Sequence, residues 1–358
     1  MFRRTFLKAA AGVCFSGAFS KVGAASWSGA RGVNCNFALA EEDLVRLRSL
    51  NCCLVRQSFA FRPLISKEPP YHYDEEMFRY LRWLVDRTRE YGIKIVLDPH
   101  TSPGFRKNTS TKADDAFWYD SKWHDYLIDL WGRLAKEFRD DGDVLIGYDL
   151  VNEPTLPRQT ALAGASDYGL LIRRLIEEVR RYDLDQWLIV QIPRIHGGGT
   201  NGIGPFFRDV SGMPQLVDER LVYSFHMYWP FRFTFSGLKD LKDGVTTYPG
   251  RVGRMQVDKS TLQEVLEPIR ELGIMQERPI FVGEFSAVRW LGDSGNEYLR
   301  DLIDIFEQYR WSWAYHAFRS AHMWDAELSN FERSDKSYVG DTPRIRLLNE
   351  AFKLSKCW

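Results

Sequence analysis

The sequence predicts an α/β fold, a (β/α)8 barrel of the TIM type forming a single domain. Three observations carry that prediction: a length of 358 residues, eight short apolar runs rich in Val and Ile, and longer stretches of helical periodicity between them. A chain of this length is too long for one small domain but suits one barrel of eight βα units. No charge run, low-complexity stretch, internal repeat or linker divides it.

In chain order the eight candidate strands are Gly32 to Phe37, Cys53 to Ser58, Ile93 to Asp98, Leu145 to Val151, Trp187 to Gln191, Leu221 to Phe225, Ile280 to Glu284 and Ser312 to His316. The second helix is expected from Asp74 to Tyr91, with Gly92 as its stop. The third has the clearest pattern, because Trp123, Tyr126, Leu127, Leu130, Trp131, Leu134 and Phe138 recur on one helical face that should pack on the barrel. Trp83, Trp123 and Trp131 therefore read as packing residues. The fifth helix is short or replaced by loop, since Ile192 to Gln215 is rich in Gly and Pro. The seventh is expected from Asn296 to Tyr309, and Arg232 to Arg254 reads as a long loop after the sixth strand. In such barrels the loops that follow the strands build the functional site.

Composition narrows the partners. Hydrophobic residues at 44% and charged residues at 27% are globular values, while 14% aromatic residues with 12 Trp is a high share, and Trp-rich surfaces suit sugar rings. Lys+Arg and Asp+Glu are 48 each, so no net field draws in nucleic acid or an anionic membrane, and a neutral polymer fits better.

Residues 1–25 read as a twin-arginine-type export signal: Arg3-Arg4-Thr5-Phe6-Leu7-Lys8, an apolar run from Ala9 to Phe19, then small residues around Gly23-Ala24-Ala25. That run falls short of the roughly 20 residues a spanning helix needs, so a cleaved leader and no stable membrane anchor are expected. Ala11-Gly12-Val13 before Cys14 matches a lipoprotein cleavage box poorly. The expected location is periplasmic or extracellular, and the expected state a monomer. Cys35, Cys52, Cys53 and Cys357 have no C-x-x-C spacing and no paired histidines beside them, so neither a metal, a cofactor nor a disulfide framework is implied.

The chemistry lies at the C-terminal ends of the strands. There stand Arg56 in Leu54-Val55-Arg56-Gln57, His100 in Leu97-Asp98-Pro99-His100, and Asn152-Glu153-Pro154 after Tyr148-Asp149-Leu150-Val151. His226 and Tyr228 follow in Ser224-Phe225-His226-Met227-Tyr228, and Glu284 in Phe281-Val282-Gly283-Glu284-Phe285. Glu153 and Glu284, three strands apart, should face each other across the barrel mouth. Glycoside hydrolysis needs such a pair, one carboxyl to protonate the leaving oxygen and one to attack or stabilise the anomeric carbon. Barrels also carry strand-end carboxylates that are only ion-pair partners, but Asn152 directly before Glu153 favours the catalytic reading.

On these motifs the mature chain, residues 26–358, resembles glycoside hydrolase family 5, the cellulase-containing family of retaining enzymes on (β/α)8 barrels. The resemblance implies that Glu153 is the acid/base and Glu284 the nucleophile of a double displacement, about 5–5.5 Å apart. It implies that Asn152 binds the sugar 2-hydroxyl and that Arg56 and Tyr228 hold Glu284 ionised, while Glu153 stays protonated until it donates. His100 and His226 match the family's two strand-end histidines. The family's Trp at the end of strand eight is missing from Trp313-Ala314-Tyr315-His316-Ala317-Phe318, where His316 or Phe318 takes its place. Further sugar platforms are expected among Trp118, Tyr119, Trp229, Trp290 and Trp324, whose rings could stack on the C–H face of a pyranose.

The substrate expected from the resemblance is a β-linked polysaccharide or oligosaccharide, with endo-β-1,4-glucanase action first. β-Mannanase, another β-glycanase or a β-glucosidase of the same family are the alternatives, because loops set specificity. A silent sugar-binding barrel is a different class of reading, opposed by the intact Glu pair. A metal-dependent hydrolase lacks the clustered His and Asp ligands it would need.

Overall fold

A computed structural model of the chain describes residues 27–60, 69–102, 104–105, 115–157, 165, 167–195, 210, 213–238, 244–330 and 332–355. The export signal predicted at 1–25, Cys14 and Cys357 lie outside the described residues. Eight parallel strands close into one barrel: β1 (Arg31–Cys35), β2 (Leu54–Ala60), β3 (Lys94–Thr101), β4 (Leu145–Asp149), β5 (Leu188–Gln191), β6 (Leu221–Met227), β7 (Ile280–Phe285) and β8 (Ser312–Tyr315). Each pairs with its neighbours in sequence, and β8 closes on β1. All eight predicted runs are barrel strands.

The alternation of side chains along these strands sets the level of the site. Leu54, Val96, Ile146, Ile189, Val222, Phe281 and Ala314 form an apolar layer inside the barrel, plugged from below by Trp27. The Trp27 indole donates to the Ile146 carbonyl at 3.0 Å. Two residues further along, on the same side of the pleat, come Arg56, Asp98, Gln191, Ser224 and His316. An apolar floor thus carries a polar layer.

Bulges on β7 and β3 add to that layer. On β7, Val282 pairs with Phe225 and Glu284 with His226, so Gly283 is one residue too many. The extra residue turns Glu284 into the barrel mouth, while Phe285 packs outward on Phe306 and Trp313. On β3, Phe59 pairs with Pro99 and Ala60 with Thr101, which leaves His100 as the bulged residue.

The helices form the outer ring: α1 (Glu41–Ser49), α2 (Glu75–Tyr91), α3 (Lys122–Phe138), α4 (Tyr168–Arg180), α5 (Lys259–Met275), α6 (Gly292–Gln308) and α7 (Pro343–Phe352). Asp74 caps α2 by accepting from the Glu76 amide, and Gly92 ends it at φ 66°, a left-handed turn that glycine takes without a Cβ penalty. The predicted face of α3 is buried, from Tyr126 to Phe138, with Trp131 donating to the Leu150 carbonyl at 3.0 Å. α6 starts at Gly292, earlier than the expected Asn296.

Most of the stretch in which a short or missing fifth helix was expected, residues 196–209 and 211–212, lies outside the described residues. The stretch after β6 differs from the plain loop expected there. It holds one helical turn, Phe231–Thr234, and a hairpin of Gly250–Val252 with Met255–Val257. Cys35, Cys52 and Cys53 are buried. Among the described residues no helix is long and apolar enough to cross a membrane.

Candidate active site

Arg56 is the hub of the polar layer. It is fully buried, and its guanidinium meets Asp149 at 2.7 Å, Asp98 at 3.0 Å and Glu284 at 3.1 Å. It also donates to Asn34 and Asn152 at 3.1 and 3.0 Å. One buried cation therefore serves three carboxylates. Burial pushes the Asp149 carboxyl up to about 6, against the pull of Arg56 and with added push from Asp98. Asp98 goes the other way: burial is outweighed by Arg56 and His100, and its pKa falls. Asp98 in turn holds His100 Nδ1 at 2.7 Å and raises the His100 pKa in spite of burial.

Glu284 is held from two sides. Arg56 donates to Oε1, and the Tyr228 hydroxyl donates to Oε2 at 2.8 Å. Burial would raise its pKa, but the neighbouring His226, His316, Arg56 and His100 hold it down at about 2. Among these, Arg56 keeps its charge at every pH. Burial and the Glu284 charge keep the Tyr228 phenol protonated, so it can only donate here. Glu284 is an ionised carboxylate fixed in one orientation.

Glu153 sits in a strained turn at φ 44°, a left-handed conformation that costs a non-glycine residue about 1–3 kcal/mol. Its amide is secured by Gln191 Oε1 at 2.9 Å, and Gln191 Nε2 in turn donates to Asp149. The turn aims the carboxylate over the barrel. There Oε1 meets His226 Nδ1 at 2.9 Å, and Oε2 meets Arg194 at 2.6 Å. His226 Nδ1 is also 3.7 Å from Glu284 Oε2. Gly283 permits this: a Cβ there would stand 2.9 Å from His226 Nε2. Carboxylate oxygens of Glu153 and Glu284 come within 4.8 Å of each other.

The surroundings of Glu153 oppose the protonated state expected of it. Burial pushes its pKa up, but Arg194 and His226 outweigh it and bring it well below the usual carboxylate range. The same Glu153, His226 and Glu284 atoms have metal-ligand spacing. Arg194 and Arg56 already neutralise the two carboxylates, which removes the charge that would attract a divalent cation.

Above the pair opens a cavity of about 440 Å³, lined by His100, Glu153, Arg194, His226, Tyr228, Glu284 and His316 together with Phe231, Phe235 and Trp324. Asn152 is buried next to His100, at 3.4 Å from its Nε2. At the end of β8, His316 is the residue that faces the cavity, 3.8 Å from Glu284 Oε2, and burial lowers its pKa to about 4. Phe318 does not share that position; it is buried beneath the Arg319 guanidinium. The indole in the wall is Trp324, whose ring lies 5.2 Å from His316 and 5.6 Å from Tyr228.

Three other expected platforms need correcting. Trp118 is 1% exposed and packs on Phe117, His124 and Tyr168 in the core. Trp229 is likewise buried, with its carbonyl taken by the Tyr298 hydroxyl. Trp290 lines a separate shallow pocket, its indole tied to the Ser236 carbonyl at 2.8 Å. For Trp118 and Trp229 the loop after a strand folds back and uses the ring as its own core.

Sequence reasoning passed over Asn34, Asp98, Asp149, Gln191 and Arg194. The first four were legible as polar residues inside otherwise apolar strands, where burial demands a partner. Arg194 carried no such signal, because it follows β5 in a stretch that reads as loop.

The sequence model described as cellulase (glycosyl hydrolase family 5) matches residues 22–322. Among known proteins the chain is similar to endoglucanase C of Acetivibrio thermocellus, 23% identical over 299 residues that cover 76% of this chain and 81% of that one. It is also similar to a β-xylosidase of Phanerodontia chrysosporium, 27% identical over 296 residues covering 78% and 56%. Among solved structures it shares its fold with a hyperthermophilic endo-β-1,4-glucanase in complex with substrate, at TM-score 0.69 and 18% identity over 90% of this chain and 97% of that one. The endoglucanase of Thermotoga maritima in complex with mannotriose gives 0.68 and 18% over 91% and 98%. With the family matched over most of its length and the barrel closed around a carboxylate pair, the chain belongs to glycosyl hydrolase family 5, the cellulase family, and is a glycoside hydrolase.

Proposed function

We propose that the chain is a retaining β-glycanase, acting first on β-1,4-glucan as an endo-enzyme, with Glu284 as nucleophile and Glu153 as acid/base. The observation that carries this reading is the approach of the two carboxylates to within 4.8 Å at the ends of β4 and β7. So close an approach favours the short separation of retaining enzymes, about 5–5.5 Å, over the roughly 6.5–9.5 Å of inverting ones. Glu284 is ionised and aimed, which suits attack on the anomeric carbon. Glu153 returns as base once Glu284 is esterified and its charge is gone. Asn152, fixed by Arg56, is suited to bind the sugar 2-hydroxyl in the −1 subsite.

The preference for glucan draws on the endoglucanases among the relatives and on a wall in which Trp324, rather than a Trp on β8, offers a ring to the sugar. Trp324→Ala is expected to lower kcat/KM by about tenfold, the size of one lost ring stack, with thermal stability little changed. Rates on soluble glucan, mannan, xyloglucan and xylan test the substrate. Glucan should be cut fastest; mannan cut far faster than glucan would replace this reading with a β-mannanase.

A further inference from the structure

Arg194 creates a difficulty that the retaining mechanism alone does not resolve. It follows β5, where its backbone amide donates to the Pro154 carbonyl at 2.8 Å, and its guanidinium lies 2.6 Å from Glu153 Oε2. Its side chain is 26% exposed and lines the cavity, so a ligand can reach it. As long as this pair stands, Glu153 has no proton to give. A neutral sugar separates it less readily than an anion does, since a hydroxyl competes poorly with a carboxylate for a guanidinium.

The direction of the pair says what can. Glu153 Oε1 points to His226, beyond which lies Glu284, whereas Oε2 points to Arg194. Arg194 therefore stands on the side of Glu153 away from the nucleophile, where the departing sugar must sit. Resting on the retaining reading above, we propose that Arg194 binds an anionic substituent of the leaving-group sugar, a hexuronate carboxylate, and that this exchange frees Glu153 to hold the proton it donates. The charges balance. The uronate replaces Glu153 on Arg194, and Glu153 takes one proton from solvent. That proton then passes to the glycosidic oxygen as Glu284 attacks the anomeric carbon and the C–O bond breaks.

Among the described residues, the charged and titratable groups near Glu153 include Arg194, His226 from β6, Glu284 beyond it on β7, and His100 from β3, which contacts Asn152. Among the described residues that line the cavity, Arg194 carries a guanidinium at 26% exposure, whereas Arg56 is enclosed by Asp98, Asp149 and Glu284. The balanced charge of the whole chain, which favours a neutral polymer, says nothing about one guanidinium inside the cavity.

The test compares kcat/KM on cellotetraose with that on the same tetraose bearing a C6 carboxylate on the ring that leaves. The unaltered chain should prefer the carboxylated substrate by at least about tenfold, the range of one charge-assisted pair. Arg194→Gln should abolish that preference. It should also move the alkaline limb of kcat/KM on neutral cellotetraose to higher pH, because Glu153 then keeps its proton longer. Arg194→Lys should retain part of both effects, which a loss of folding would not produce. Equal rates on the two substrates, or an Arg194→Gln variant that slows both alike with its pH limb unmoved, would overturn the inference and leave the glycanase reading standing. Failure of the unaltered chain to cut either substrate would overturn both.

Discussion

Glu284→Ala is expected to lower kcat on a β-glucan by about four to six powers of ten, some 5–8 kcal/mol of barrier, with the fold intact. The loss should be as large on an aryl β-glycoside with a good leaving group, because attack on the anomeric carbon is needed whatever departs. Glu153→Ala should behave differently. On polysaccharide it should lose about two to four powers of ten, the usual contribution of a general acid, but formation of the glycosyl-enzyme from the activated aryl substrate should be nearly unaffected. Steady-state and burst kinetics on the two substrates check both expectations. The contrast matters more than either loss, since a misfolded variant would fail on both substrates alike.

The largest effect on stability is expected at Arg56. Arg56→Met leaves Asp98, Asp149 and Glu284 buried around an uncharged side chain, and breaking a buried ion pair from one side costs about 3–5 kcal/mol. Urea denaturation should register that loss at neutral pH. It should shrink as pH falls through about 6, where Asp149 begins to take up a proton even with Arg56 present. Adding Asp149→Asn to the variant should recover part of the stability, because one of the three buried charges is then removed. If Arg56→Met were as stable as the unaltered chain, the polar layer would not depend on this guanidinium.

Much of this architecture was legible in the sequence because barrel strands are short, apolar and evenly interrupted. All eight were found, and the polar residues at their ends gave the residues that converge: Arg56, His100, Asn152, Glu153, His226, Tyr228, Glu284 and His316. The Gly before Glu284 even marks the bulge that turns the carboxylate inward, as a glycine inside a strand often does. What stayed hidden depends on how loops fold back. Trp118 and Trp229 follow strands just as Trp324 does, yet the first two are absorbed into the core and only Trp324 reaches the cavity. Nothing in local spacing distinguishes a ring that lines a cavity from one that fills a loop. Arg194 was hidden for the same reason, and with His226 it draws the pKa of Glu153 down.

The proposed pairing of Glu153 and Glu284 as a double-displacement couple is tested most directly by the configuration of the first sugar end released. Proton NMR of a β-glucan oligosaccharide digest, followed from the first minute, should show the β-anomer of the new reducing end appearing before mutarotation supplies the α-anomer. Initial release of the α-anomer would mean inversion and would contradict the account.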